Sequence, residues 1–235
     1  MKSFIIFLLI ISFKSIIAFG QGLFVNFVPF LTEKCNEEPF GIGFSILSGV
    51  CINNLGSFLQ NGQKTSSSWY FEITEYEKST IISGFNYPDS DCSGFPEVSR
   101  FVYGVECVNS PVIVPINATF SGYDFSSYYT HVSLSKVPMF PDDSVVRGVY
   151  SNADGSSDGS GDTCTFDNFV YGTVITNNLL IKYQFPFEYT DTYSCSSNGT
   201  AYINMCEENE KCLKKNISLE CNSDESNGHT QIFCS

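Results

Sequence analysis

The stretch DGSSDGSGD, residues 154–162, carries the side chains whose spacing is most suggestive of chemistry. Its oxygen-bearing residues follow the first, third, fifth and ninth ligand positions of an EF-hand calcium loop: Asp154, Ser156, Asp158 and Asp162. Thr165 stands at position twelve, where that loop needs a bidentate glutamate, and no helical pattern flanks the stretch. A complete EF-hand is therefore excluded. Two interpretations stay open, an isolated calcium loop between strands or a Gly/Ser linker kept in water by its charges.

Two patterns in the sequence could indicate an enzyme. Gly155 to Gly159 form a G-x-S-x-G around Ser157, but a nucleophile elbow needs a strand before the serine and a helix after it. Glycoside hydrolysis needs two carboxylates on opposite sides of the scissile bond. The acids near predicted strands are Glu72, Glu75, Glu188 and Asp191. Their pattern does not separate them from surface acids, so we predict no enzyme activity and no cofactor, with calcium at 154–162 as the one alternative.

Aromatic residues are abundant, with 22 Phe, 13 Tyr and one Trp. Tyrosine can stack on a sugar face while its hydroxyl forms a hydrogen bond. The segments SSWYFEITEY and SGYDFSSYYTH gather such residues among small polar ones. The candidate ligand-binding residues are Trp69, Tyr123, Tyr128 and Tyr129. Ordinary cross-strand aromatic pairing is the alternative interpretation.

The first twenty residues predict export. Lys2 precedes an apolar run from Phe4 to Phe13, and Ala18 and Gly20 fit a signal-peptidase site before residue 21. Lys14 leaves the run too short for a stable membrane span. The net charge is −13, and loss of Lys2 and Lys14 would make it −15. We therefore expect a secreted, extracellular protein that binds no nucleic acid, because phosphates would be repelled.

Ten cysteines follow the predicted signal peptide, and an even number in an exported chain predicts five disulfides. A zinc site is the competing explanation, but the chain has no C-x-x-C pair and only two distant histidines. The cysteines divide into four and six, so each half of the chain could close its own bridges. They are Cys35, Cys51, Cys92, Cys107, Cys164, Cys195, Cys206, Cys212, Cys221 and Cys234. Their connectivity cannot be read from the sequence.

Three N-x-S/T sequons agree with export and predict a glycoprotein with modified sites on its surface. They begin at Asn117, Asn198 and Asn216.

The candidate site residues lie on or between predicted β-strands, because alternation with a period of two residues dominates over helical spacing along the chain. SSWYFEITEYE, for example, places Trp69, Phe71 and Ile73 on one face. About a dozen such runs separated by turn signals predict an all-β fold of antiparallel, sandwich-like sheets with a disulfide-rich C-terminal segment. Only CEENEKCLKKN, residues 206–216, has helical composition.

The domain organisation has two alternatives. One is an N-terminal β lobe at residues 21–137, an acidic Gly/Ser-rich connector at 138–162 and a C-terminal cysteine-rich β lobe at 163–235, after a signal peptide at 1–20. The other is a single continuous sandwich with a disulfide-tied C-terminal cap.

The motifs LSGVCINN, GFNYPDSDCSG and VYGVECV, followed by a cysteine-dense tail, give the chain a family resemblance. In these features and in its Asn-, Ser- and Phe-rich composition it resembles the secreted cysteine-rich families of social amoebae. The resemblance implies an exported glycoprotein and no catalytic residue. We therefore expect a non-enzymatic protein that binds an extracellular glycan, a cell-surface protein or the matrix. A purely structural extracellular protein and a carboxylate-dependent glycoside hydrolase are the alternatives.

Overall fold

The computed structural model describes residues 22–53, 68–104, 107–109, 127–151, 164–183, 189–207, 212–224 and 228–235. Within these ranges the chain forms sixteen β-strands and a 3-10 helix at Phe166–Asn168. The strands pair antiparallel throughout the described sheets. The predicted all-β, antiparallel fold is confirmed.

Eight strands form one large sheet in the order β15-β16-β9-β10-β2-β1-β8-β7. Their bounds are β1 Phe24–Phe30, β2 Ile42–Leu47, β7 Val108–Asn109, β8 Tyr129–Ser135, β9 Val145–Tyr150, β10 Phe169–Ile175, β15 Leu219–Asp224 and β16 Gly228–Cys234.

Two smaller sheets of four strands each complete the fold. The N-terminal sheet, in the order β3-β4-β5-β6, consists of β3 Ile52–Asn53, β4 Ser68–Tyr76, β5 Ser79–Tyr87 and β6 Glu97–Val102. The C-terminal sheet, in the order β11-β12-β13-β14, consists of β11 Leu180–Tyr183, β12 Tyr189–Cys195, β13 Ala201–Glu207 and β14 Leu213–Asn216.

Both small sheets pack on the same face of the large sheet, and their alternating apolar residues supply the core. On the N-terminal sheet, Phe71 lies 5.8 Å from Phe27 of β1 between ring centroids, and Trp69 stacks on Phe71. On the C-terminal sheet, β12 packs against β9 and β13 against β16. One continuous cluster of buried side chains contains residues from all three sheets. The arrangement is a sandwich in which two short sheets cover one long sheet.

The large sheet joins the two halves of the chain through the pairing of β2 with β10. Residues 145–150, which fall in the predicted acidic connector, form the buried strand β9. The connector prediction is wrong for this stretch, because VVRGVY is buried along almost its whole length and pairs with β10 and β16. The acidic remainder, residues 152–162, lies outside the described part of the chain.

The helical composition of residues 206–216 does not produce a helix where the structure describes them. Residues 201–207 and 213–216 are the paired strands β13 and β14. The disulfide between Cys206 and Cys212 links the end of β13 to the residue before β14, with 4.1 Å between the Cα atoms. This covalent link and the ladder outweigh the weak helical preference of the sequence.

Candidate functional site

All ten cysteines form disulfides, so the prediction of five bridges is confirmed. Each bridge stays within its own group of four or six. The pairs are Cys35–Cys107, Cys51–Cys92, Cys164–Cys221, Cys195–Cys234 and Cys206–Cys212. The Cys195–Cys234 bridge joins β12 of the C-terminal sheet to β16 of the large sheet, and so fixes one sheet on the other.

Two of the three sequons lie at exposed turns of the C-terminal sheet. Asn198 occupies the turn between β12 and β13, and Asn216 ends β14. The backbone N–H of Thr200 donates a hydrogen bond of 3.3 Å to Oδ1 of Asn198. The backbone N–H of Ser218 donates one of 2.9 Å to Oδ1 of Asn216. The asparagine side chains are therefore held at the surface in Asx turns.

Several predicted site residues lie outside the described part of the chain. They are the calcium candidates Asp154, Ser156, Asp158 and Asp162, the sequon residue Asn117 and the aromatic candidate Tyr123. Among the residues the structure describes, no group of three or more His, Cys, Asp or Glu side chains could hold a metal ion. The same described residues contain no helix that is both long enough and apolar enough to cross a membrane.

The predicted aromatic site is only partly at the surface. Trp69 has 4% of its surface exposed and stacks on Phe71 in the core, so its proposed role as a surface ligand-binding residue is corrected. Its position in the alternation of β4 directs it inward with Phe71 and Ile73. Tyr128 and Tyr129, at the start of β8, are half-buried on the large sheet, and Tyr128 packs against the core.

A different aromatic row lies on the outer face of the N-terminal sheet. Tyr70 of β4 pairs with Phe85 of β5, and Phe85 pairs with Val98 of β6. The ring centroids of Tyr70 and Phe85 are 6.2 Å apart, and those of Phe85 and Tyr87 are 6.5 Å apart. All three rings are half-buried. They form a continuous apolar strip that ends at β6.

Exposed apolar side chains are concentrated around β6. The described ranges contain eleven exposed large apolar residues, and five of them lie on β6, close to its ends or at the turn between β4 and β5. They are Tyr76, Phe95, Val98, Val102 and Tyr103. Val98 and Val102 are 44% and 48% exposed on the outer face, and Phe95 just before the strand is 97% exposed. We call β6 with these five side chains the β6 surface. A hydrophobic cluster of this kind marks an interaction site more often than scattered single residues do.

The β6 surface was not predicted. The segment EVSRFV reads as an ordinary strand with one inward phenylalanine, Phe101. Only the strand order shows that β6 is the last strand of its sheet in the described residues, so that the valines beside Arg100 have β5 on one side and no described strand on the other. Edge position depends on tertiary pairing, which local sequence does not specify.

A second unusual group is Asp191, in the middle of β12. Its side chain is 4% exposed, and its Oδ1 atom has no hydrogen-bond partner. Burial raises the pKa of Asp191 to about 6. The alternation of β12 places Tyr189 and Tyr193 on the same face, and Tyr183 lies opposite Tyr189 on β11. The carboxyl group therefore sits among three tyrosines.

The three tyrosines form a compact group around the carboxyl. The rings of Tyr183 and Tyr189 stack with centroids 4.4 Å apart and an angle of 8° between their planes. Burial, and then the nearby Asp191 charge, raises the pKa of Tyr183 and of Tyr189. Burial also raises the pKa of Tyr193, whose hydroxyl interacts with that of Tyr183. These shifts keep the phenols protonated, so they can donate hydrogen bonds but cannot supply a cation to balance an ionised Asp191.

The candidate carboxylates for glycoside hydrolysis do not come together in one site among the described residues. Glu72 and Glu75 are exposed on β4 of the N-terminal sheet, whereas Asp191 is buried on β12 of the C-terminal sheet. Glu188 lies outside the described residues. Burial is the cause of the raised pKa of Asp191, with no second described carboxylate contributing.

A cavity of about 580 Å³ opens between the loops after β1, after β8 and after β10. Its charged lining consists of acids alone: Glu37, Glu38, Asp142 and Asp143. Glu37 already accepts a hydrogen bond of 2.7 Å from the backbone N–H of Thr32. The cavity therefore has a negative rim without an assembled set of metal ligands among its described residues.

Comparison with known proteins places the chain in a family. No curated protein and no solved structure matches it. A family model described as counting factor-associated protein A/B/C matches residues 1–234, which is almost the whole chain. The match agrees with the resemblance to secreted cysteine-rich families seen in the sequence. The chain belongs to the counting factor-associated protein A/B/C family.

Proposed function

We propose that this protein is secreted and acts without catalysis, by binding a counting factor through the β6 surface. The partner follows from the family description, which calls its members counting factor-associated. The observation that carries the proposal is the concentration of exposed apolar side chains at one sheet edge, where a protein partner could bury them.

Three observations support an extracellular setting. The N-terminal sequence has the pattern of a signal peptide. All ten cysteines are paired, which is typical of proteins from oxidising compartments. Two sequons lie at exposed turns, where a glycan would meet no packed side chain.

Covering the apolar side chains of the β6 surface would contribute to the free energy of binding. Full burial of a valine contributes roughly 1.5–3 kcal/mol. Val98 and Val102 are about half exposed, so covering them would contribute about 1 kcal/mol each. Phe95, with 97% of its surface exposed, adds a side chain large enough to anchor a partner in a pocket.

The test is the affinity of the purified secreted protein for a purified counting factor, measured by biolayer interferometry. Changing both Val98→Glu and Val102→Glu should weaken binding by roughly thirtyfold, because about 2 kcal/mol of apolar burial is lost. Leu213→Glu is the matched control, since Leu213 is 62% exposed on an edge strand of the other small sheet. Wild-type protein that does not bind a counting factor would refute the proposal, and equal losses in both variants would refute the assignment to β6.

Glycan binding is the second candidate, and the row of Tyr70, Phe85 and Tyr87 favours it. Aromatic faces in a line on a sheet can stack against successive sugar rings. Tyr70→Ala with Tyr87→Ala should then abolish retention on a glycan array, whereas Val98→Glu should change it little. Retention that depends on the valines and not on the tyrosines would exclude this candidate.

A further inference from the structure

We propose that β6 is a strand-addition site: the partner contributes an extended segment that pairs with β6 and continues the N-terminal sheet. The facing side of this segment would carry an apolar–x–acidic–x–apolar pattern. The inference rests on the proposed function and specifies how the β6 surface is used.

The outward hydrogen-bonding groups of β6 have no partner strand among the described residues. The N–H of Tyr103, just after β6, donates to the carbonyl oxygen of Thr80 at 2.8 Å. In an antiparallel ladder the residues that bond to a given neighbour alternate. The N–H groups of Val98, Arg100 and Val102 therefore point away from β5, toward the open edge.

The other described edges are short, carry lysine or are irregular, whereas β6 is longer and regular and carries Glu97 and Arg100 as its charged residues. Natural edge strands avoid unwanted pairing by being very short, by carrying lysine or by containing bulges. The strands β3 and β7 have two residues each. The strands β11 and β14 have four residues each and contain Lys182 and Lys214–Lys215, and β15 has a register shift against β16.

By contrast, β6 has six residues, no lysine and no proline, and its register with β5 is continuous from Glu97 to Val102. Its two outward valines are about half exposed. A regular edge of this length, with exposed valines on both sides of Arg100, can serve as a template for another strand. Among the described edges, β6 is therefore the one suited to strand addition.

The side chains of β6 define what the added strand should carry. The outer face presents Val98, Arg100 and Val102 in alternation. Residues directly opposite each other in a sheet contact one another, and opposite charges or two apolar groups are favourable there. An apolar residue opposite each valine and an acid opposite Arg100 would satisfy all three positions.

A second copy of the chain fits this edge poorly. If two β6 strands paired antiparallel about Ser99, each Arg100 would face a Val98. If they paired about Arg100, the two guanidinium groups would face each other, which is unfavourable. The net charge of −13 adds repulsion between copies. These features favour a different protein as the partner.

The experiment compares two substitutions at the centre of β6. Arg100→Ala removes the guanidinium but keeps the N–H, whereas Arg100→Pro also removes the outward N–H that strand addition needs. Proline is tolerated where an edge N–H faces solvent, so pairing with β5 should persist. Against a purified counting factor, Arg100→Pro should bind at least tenfold more weakly than Arg100→Ala.

Hydrogen–deuterium exchange of the wild-type complex provides a measurement that does not depend on the proline variant folding. The amides of Val98, Arg100 and Val102 should exchange quickly in the free protein and slowly in the complex. Wild-type binding with equal affinities for the two variants, or with unchanged exchange at these amides, would overturn strand addition while leaving the proposed function intact. No wild-type binding overturns both.

The molar mass from light scattering, at the same protein concentrations, shows whether β6 pairs with a counting factor or with a second copy of the chain. A monomeric free protein that forms a complex with the counting factor is the expected result. A dimer that Arg100→Pro abolishes would make a second copy the occupant and overturn the heterologous assignment.

Discussion

Replacing Asp191 with asparagine should stabilise the protein at neutral pH. Asp191 is a carboxyl in the interior of the sandwich, and its Oδ1 atom has no hydrogen-bond partner. The nearest titratable groups on β11 and β12 are protonated tyrosines. On the packed strand β9, the buried Arg147 donates a hydrogen bond of 3.1 Å to the Tyr171 hydroxyl. An amide at position 191 keeps the shape of the side chain and removes the cost of a buried charge.

The size and sign of the effect follow from the pKa of Asp191. Burial raises it from the ordinary value of 3.8 to about 6 in the folded chain. Between these values the folded chain binds more protons than the unfolded chain, so its stability falls as the pH rises from 3.8 to about 6 and levels off above that. A shift of about two units corresponds to at most about 3 kcal/mol. Because relaxation of the surroundings lowers the cost of a buried charge, we expect about half of that, roughly 1.5 kcal/mol.

Urea unfolding from pH 4 to pH 8, with the disulfides intact, measures the difference directly. At pH 4 the Asp191→Asn substitution should leave the free energy of unfolding nearly unchanged. At pH 7 and above the Asp191→Asn protein should be more stable by about 1.5 kcal/mol. Asp142→Asn is the control, because Asp142 lies on a loop at the rim of the acidic cavity, outside the core, and should show no such trend. A difference that does not grow with pH, or a variant that is less stable at pH 7, would show that the folded protein holds Asp191 ionised and paired.

Three further predictions concern packing, covalent structure and modification. Gly43→Ala should destabilise the fold by about 1–3 kcal/mol in urea unfolding, because an added Cβ would lie 2.5 Å from a backbone oxygen of β1, which cannot move aside. Replacing Cys195 and Cys234 together by serine should cost about 4 kcal/mol, as the loop-entropy estimate for a separation of 39 residues gives, and a loss under about 1 kcal/mol would contradict it. Asn198→Gln and Asn216→Gln should each remove one glycan from the protein secreted by eukaryotic cells, and an unchanged mass would show that the site is not used.

The strands and the division of the cysteines could be predicted because both are recorded in local sequence. Alternation along SSWYFEITEY places Trp69 and Phe71 in the core, and the same alternation excludes Trp69 from the surface. Residue type alone predicts a surface position for Trp69, whereas the periodicity of the strand places it in the core. The errors at β9 and β14 have another cause. In both places a neighbouring strand and a ladder of backbone hydrogen bonds decide the structure.

Asp191 shows a signal that the sequence does contain. In YTDTYSC, the strand alternation places Asp191 on the same side as Tyr189 and Tyr193, and the large aromatic residues identify that side as the inner one. A charged residue in phase with buried aromatics predicts either a paired group or a perturbed pKa. Which of the two occurs depends on the sheet that packs opposite, and this is set only when β12 meets β9.

The positions of the sequons and of the β6 edge fit a single requirement. An unprotected apolar edge invites aggregation unless other features keep the protein dispersed. The net charge of −13 provides repulsion between molecules. The described sequons, at Asn198 and Asn216, both lie on the C-terminal sheet, and the described residues of the N-terminal sheet contain none. Glycans at these positions would shield one small sheet and leave β6, on the other, open to a partner.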